Sequence, residues 1–302
     1  MSFNDNASLD TSRMGGGGGG GRGPVVAGGG LLGLIVLVLS LFFGGGLPGG
    51  DGGGTDPQGG GQSQGFEECK TGADANRSAK CRMVGGENSL YDFWSNQPQM
   101  KAALDKQGQD FPPAKLNVYS GTTQSQCGTA SNQVGPFYCP LDRGIYIDTD
   151  FFSIMESQLG AEDGPLAELY ILAHEYGHHV QNLYGVLEES QKDPRGADSG
   201  AVRVELMADC FAGMWVQDAS GTKDANGVTL LEEPTDEQIR NALGAAKSVG
   251  DDEIQKKSSG QVNPEDWTHG SAKARQGWFI KGMKAQSIND CDTFEVSDPE
   301  NP

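Results

Sequence analysis

The sequence predicts an α+β domain, mainly helical with a small β-sheet, standing behind one N-terminal apolar segment. Three observations carry this expectation. From Pro165 onward apolar residues recur at intervals of three and four, the period of amphipathic helices. Between Lys115 and Asp148 the pattern is one of short runs bounded by Gly, Pro and Asp, as in strands. Residues 15–21 are a glycine run and residues 44–65 are mostly glycine with Pro, Gln, Asp and Thr, on either side of a single apolar stretch, so the folded unit is expected over residues 66–302. Glycine-rich chain loses much backbone entropy on ordering and has few side chains to bury, so little of residues 1–65 is expected in a core.

Four segments follow from this reading: a short Gly-rich N-terminus (1–23), an apolar anchor (24–43), a Gly-rich linker (44–65) and the domain (66–302). Val25 to Phe43 carries no charge and is almost unbroken Leu, Ile, Val and Phe from Leu31, long enough to cross a hydrocarbon layer. The rival is a cleaved signal peptide, but no small-x-small cleavage site follows the apolar run. Arg13 and Arg22 precede it, whereas Asp51 and Asp56 follow it with no Lys or Arg until Lys70. That asymmetry predicts a cytoplasmic N-terminus and a domain outside the cytosol.

All six cysteines, Cys69, Cys81, Cys127, Cys139, Cys210 and Cys291, lie after the apolar run. An even number in an exported domain predicts up to three disulfides, with connectivity left open. The local pairs Cys69–Cys81 and Cys127–Cys139 would leave Cys210–Cys291 to tie the tail to the middle of the domain. A four-cysteine metal site lacks the C-x-x-C pair it would need. The formal charge of −19, with no basic patch, argues against nucleic acid or anionic lipid headgroups as partners.

In order along the domain, Asn88 to Lys106 reads as a helix ended by Phe111-Pro-Pro. Lys115 to Tyr119 reads as a strand, followed by a Gly-, Ser-, Thr- and Gln-rich loop. Phe137 to Cys139 and Gly144 to Asp148 read as two more strands around a Pro-Leu-Asp-Arg-Gly turn. In the latter, Ile145 and Ile147 alternate with Tyr146 and Asp148, a half-buried pattern, and this strand is a candidate edge for an extended peptide. A helix runs from Pro165 to near Gly185, a polar loop covers Glu188 to Asp198, and a second helix covers Ala201 to Ala219. A third runs from Asp236 through Val249 behind Thr235 as N-cap. A fourth runs from Ser271 to about Ala285, after a Trp267-Thr-His269 loop.

His174-Glu-Tyr-Gly-His178 sits in the middle of the Pro165 helix. A spacing of four puts both imidazoles on one face, where they can share a tetrahedral metal, and Glu175 can reach a water there without being a ligand. The chain has only 4 histidines, and His174, His178 and His179 fall together. His179 points away round the helix and is expected to cap or pack at its surface. The third donor must come from elsewhere, and the best is Glu205, which an antiparallel helix pair would return to the first helix. Asp209, four residues on, shares its face and is placed to accept the second N–H of a ligating imidazole. Gly177 permits close approach of another element. In this chemistry zinc polarises the scissile carbonyl, Glu175 moves the proton of water, and a further donor meets the oxyanion. His269, Arg275 and Tyr146 are the candidates for that donor.

Met1-x-Phe-x-x-x-Ala-x-Leu-Asp-Thr-Ser12, Gly135-Pro-Phe-Tyr-Cys-Pro140, Leu172-Ala-His-Glu-Tyr-Gly-His-His-Val-Gln181, Glu205-Leu-x-Ala-Asp-Cys-x-Ala-Gly213 and Trp267-Thr-His-Gly-Ser-Ala-x-x-Arg-x-x-Trp-Phe279 together resemble a bacterial family of neutral zinc metallopeptidases. The resemblance covers nearly the whole chain. It implies a zincin-like, membrane-associated enzyme in which His174, His178 and Glu205 hold one zinc ion per chain and Glu175 is catalytic. A broader likeness is to the thermolysin-related peptidases, whose third-ligand helix also carries Asp four residues after Glu. Val204 and Ala208 stand where that pattern has polar residues, so substrate-binding detail does not transfer.

The expectation is a zinc-dependent endopeptidase, anchored to a bacterial inner membrane by a single pass through residues 24–43, acting on peptides or proteins outside the cytosol. The alternatives are a noncatalytic envelope scaffold with a structural zinc, which has no need of Glu175, and an amidohydrolase of cell-wall peptides.

Overall fold

The computed structural model describes residues 1–15, 65–131, 134–162 and 164–302. The expected membrane anchor (24–43) and nearly all of the linker lie outside these residues. Among the described residues no helix is long and apolar enough to cross a membrane.

The domain begins with α1 (Gly72–Arg77) and α2 (Ala79–Asn96), the latter started by Ser78, whose hydroxyl accepts from the Cys81 amide at 3.5 Å. Pro98 cannot donate into a continuing helix, so α2 stops and α3 (Pro98–Asp105) starts anew. Gln97 caps the restart, its Oε1 accepting from Gln99 N at 2.8 Å and Met100 N at 3.3 Å. The single helix expected over 88–106 is therefore two helices, and the first begins earlier than its apolar residues suggested.

Five strands follow: β1 (Lys115–Tyr119), β2 (Thr122–Ser125), β3 (Gly128–Ser131), β4 (Phe137–Cys139) and β5 (Gly144–Asp148). They form a three-stranded sheet in the order β1-β5-β4, with β1 and β5 parallel and β4 antiparallel to β5, and a separate β2–β3 hairpin. The hairpin replaces the expected loop. Every residue of β5 is buried, not alternate ones, because this strand is central and covered on both faces. With β1 on one side and β4 on the other, β5 cannot accept an added peptide strand. Among the described residues the sheet margin without a further strand is that of β4.

The helical half comprises α4 (Asp150–Ser157), α5 (Pro165–Tyr184), α6 (Glu189–Lys192), α7 (Gly200–Asp218), α8 (Asp236–Ser248), α9 (Asp251–Ser258) and α10 (Ala272–Gly282). Pro165 opens α5, where its missing N–H is harmless, and Gly185 closes it in the left-handed conformation with φ 74°. Ser199, Thr235 and Ser271 cap α7, α8 and α10 through side-chain oxygens. The core gathers Trp94, Trp215 and Trp278, all fully buried, around α2, α7 and α10. Three disulfides form as the local pairing suggested: Cys69–Cys81, Cys127–Cys139 and Cys210–Cys291. The last joins α7 to the C-terminal tail.

One expectation is overturned at the N-terminus. Met1, Phe3, Ala7 and Met14 are buried members of the main core, and Met14 bridges Leu116 in parallel at the margin of β1. The glycine-based argument does not extend to residues 1–14, which carry enough apolar side chains to repay ordering.

Candidate metal centre

Helices α5 and α7 lie antiparallel, as His174 meets Asp209 while Gln181 meets Val204. The two backbones come close at Gly177: a methyl group there would lie 3.0 Å from the Ala208 Cα. This approach brings one ligand atom from each of His174, His178 and Glu205 within 4.8 Å of one another, all three residues buried. The Nε2 atoms face the carboxylate, His174 at 3.1 Å from Glu205 Oε2 and His178 at 3.5 Å from Oε1. Two imidazoles and one carboxylate, with room for a further ligand, are the donor set of an open zinc site.

Each imidazole is held from behind. His174 donates from Nδ1 to Asp209 Oδ1 at 2.9 Å, and His178 donates from Nδ1 to Gln181 Oε1 at 2.8 Å. Gln181 is itself fixed by donating to the Val204 carbonyl at 2.6 Å. Both bonds fix the tautomer that leaves Nε2 unprotonated for a metal. The electrostatics agree. Burial disfavours a charged His174, yet Asp209 and Glu205 outweigh it and push its pKa up to about 10. Without a cation, the carboxylates recruit a proton to the same place. Burial pulls His178 down to about 4 against the opposing pull of Glu205, so this ring stays neutral and able to ligate.

Glu175 is 3% exposed, and its Oε2 has no hydrogen-bond partner among the described residues. Burial, only partly offset by His174, raises its pKa to about 7. A buried carboxylate oxygen without a partner is costly unless a ligand or water completes it, and this one belongs to the wall of a cleft. The cleft, about 540 Å³ measured out to its open mouth, is lined by Pro136, Phe151, Leu159, Ile171 and Val249 and by His174, Glu175, Glu205, His269 and Arg275. The first five make the lining largely apolar, and the other five bring the ionisable groups.

The sequence matches, over residues 3–294, the model of a family described as "Putative neutral zinc metallopeptidase". The chain belongs to this family. Similar curated proteins include the uncharacterized protein Rv2575 of Mycobacterium tuberculosis, 47% identical over 237 residues (78% of each chain). The uncharacterized protein YpfJ of Escherichia coli K12 is 37% identical over 211 residues (68% of each chain). No solved structure matches.

The three candidates for an oxyanion donor fall in three different places. His269 lines the cleft, and its loop is held by Asp251, whose Oδ2 accepts the amides of Thr268, His269 and Gly270 at 2.7, 2.6 and 3.0 Å. Asp251 Oδ1 also lies 3.5 Å from His269 Nδ1. Burial opposes protonation of His269, but Glu205 and Asp251 together raise its pKa. Arg275 also borders the cleft, but its guanidinium is committed elsewhere. It donates to Asp209 from Nε at 2.8 Å and from a terminal nitrogen at 3.1 Å, and to the Val249 carbonyl at 3.2 Å. Tyr146 turns away altogether, stacking on Phe137 and donating to Asp142 at 2.8 Å.

His179 packs as expected, though in the interior and not at the helix surface: Nδ1 accepts from Tyr138 Oη at 3.0 Å and Nε2 donates to the Pro112 carbonyl at 2.8 Å. Four residues that support the candidate site escape a reading of the sequence. Tyr170, whose hydroxyl donates to Asp209, and Gln181 stand four before His174 and three after His178, so helical spacing alone could have marked them. Asp251 and Val249 carry no such signal, since they reach the site through the turn between α8 and α9.

Proposed function

We propose that the protein is a zinc-dependent endopeptidase with Glu175 as general base. The observation that carries this reading is the buried Glu175 carboxylate, whose Oε2 has no hydrogen-bond partner among the described residues, beside the His174, His178 and Glu205 donors at the wall of an open cleft. A structural metal site needs neither the carboxylate nor the cleft. Zinc, when bound, supplies a Lewis acid that acidifies water and polarises a carbonyl.

The protein's own groups do the rest. Glu175 Oε2 takes the proton from the attacking water and returns it to the leaving amine. His269, positioned by Asp251, donates to the oxygen on which negative charge develops. Arg275 balances the charge of Asp209, so that Asp209 can hold His174 without itself taking up a proton. The apolar lining of Pro136, Phe151, Leu159, Ile171 and Val249 receives a bulky apolar side chain next to the scissile bond. An extended substrate would add along the margin of β4, which follows Pro136 directly. The three disulfides favour a location outside the cytosol.

The test is cleavage of a diverse peptide library by the full chain, with and without a zinc chelator. Cuts beside large apolar residues, abolished by the chelator and restored by zinc, are expected. A zinc-loaded, disulfide-intact protein that cuts nothing would count against peptidase activity.

A further inference from the structure

We propose that residues 1–15 lie on the same side of any membrane as the metal centre, docked as an integral layer of the catalytic domain. Sequence alone put them across a bilayer from it. The contacts are those of a built joint. Asn76 clamps the backbone of Phe3, accepting its N–H at 2.8 Å and donating to its carbonyl at 2.9 Å. Asn88, itself buried, does the same for Asp10 at 2.7 and 2.8 Å. Main-chain bonds join Leu9 N to the Lys70 carbonyl, Gly72 N to Ala7, Asn4 N to Leu230 and Glu232 N to Ser2, at 2.9 to 3.0 Å.

The domain is shaped for this occupant. A methyl group at Gly85 would lie 2.4 Å from the Phe3 ring, and one at Gly72 would lie 1.9 Å from the Asn4 carbonyl oxygen. Glu87 is fully buried, and its ion pair is with Arg13, at 2.8 Å, whose guanidinium also lies over the Tyr91 ring at 4.3 Å. A domain without Arg13 would, among the described residues, hold a buried carboxylate with no ion-pair partner. Arg13, one of the two cations that suggested a cytoplasmic N-terminus, is thus already neutralised by the domain.

The layer also bears on the site. On α2, Gly85 touches Phe3 while a methyl group at the next residue, Gly86, would meet Leu169 and Leu172 of α5 at 2.5 and 2.8 Å. Helix α2 thus lies between the docked segment and the helix that carries His174 and His178. Chain leaving at Gly15 and returning at Gly65 starts and ends on one body, so a single crossing between them would pull these partners apart.

Ser8 and Thr71 form an antiparallel bridge flanked by its hydrogen bonds, a pairing in which Cα atoms stand about 4.5 Å apart and a disulfide fits. The experiment places Ser8→Cys and Thr71→Cys together in the full chain, alkylates intact cells before lysis, and maps bonds by mass spectrometry. Only molecules whose Cys69–Cys81 and Cys210–Cys291 bonds have formed are scored. A disulfide between the two introduced cysteines in most of them is the expected result. A free thiol at position 8 that is alkylated only once the cytoplasmic membrane is opened would overturn the shared compartment. A free thiol at that position alkylated from outside would overturn the docking.

Discussion

Arg275 grips Asp209 with two nitrogens, at 2.8 and 3.1 Å, and Asp209 in turn accepts from His174 at 2.9 Å. A guanidinium on α10 thereby acts on a candidate metal donor on α5 through a carboxylate on α7. Asp209 is fully buried; burial favours its neutral form, but Arg275 and His174 hold its pKa below the usual carboxylate range. Substituting Arg275→Gln is expected to weaken zinc binding by about 10- to 100-fold, the scale seen when such supporting partners are lost. Competition with a chromophoric chelator measures it. An unchanged affinity alongside lost turnover would return Arg275 to the substrate side.

His269 is expected to behave in the opposite way. His269→Ala should lower kcat by about 10²- to 10³-fold, the range for removal of an oxyanion donor, while zinc content stays at the wild-type level. Steady-state kinetics beside metal analysis separates the two roles. Loss of zinc in this variant would mean that the residue helps to hold the site and not the transition state.

Asp251 ties the His269 loop through three backbone amides, and these bonds with the His269 ring hold its pKa down despite burial. A carboxylate with a depressed folded pKa contributes stability above its unfolded value, about 3.9, and loses it as pH falls through the folded one. Asp251→Asn should therefore lower Tm at neutral pH, with the gap to wild type closing below about pH 4. Thermal unfolding across pH 3 to 8 checks this. A gap that persists at the acid end would place the effect in the loop's shape, not its charge.

How much of this was legible beforehand depends on the sequence distance over which each feature is fixed. His174, His178 and Glu175 are set by one helix turn, and Glu205 with Asp209 by another, so spacing on α5 and α7 exposed them. The role of Arg275 could not be read that way, because its partner lies 66 positions away and an arginine near a cleft suits either role. Burial of β5 was underestimated since nothing local says that β1 would return in parallel beside it. The β2–β3 hairpin, Thr122–Ser125 with Gly128–Ser131, is built from small polar residues and offers no apolar alternation to find. The docked N-terminus was hidden for the same reason: Phe3 and Arg13 find Asn76, Gly85 and Glu87 far along the chain.

The Cys210–Cys291 bond closes a loop with a sequence separation of 81 and fastens the tail against α7. Replacing both with Ser should lower stability by about 2–5 kcal/mol, read as a lower denaturant midpoint with a steeper slope, because the unfolded chain freed of the cross-link exposes more surface. Because the bond joins α7 near Asp209, zinc affinity is expected to fall as well. A double variant as stable as wild type would show that the tail packs without its staple.

That Glu175 performs chemistry at a zinc centre held by His174, His178 and Glu205 is open to one paired measurement. Zinc stoichiometry and peptide turnover are determined side by side for the full chain and for Glu175→Gln. One zinc per chain in both, and turnover in the wild type alone, are expected. Equal turnover in the two proteins, or wild-type protein that binds no zinc, would contradict this assignment.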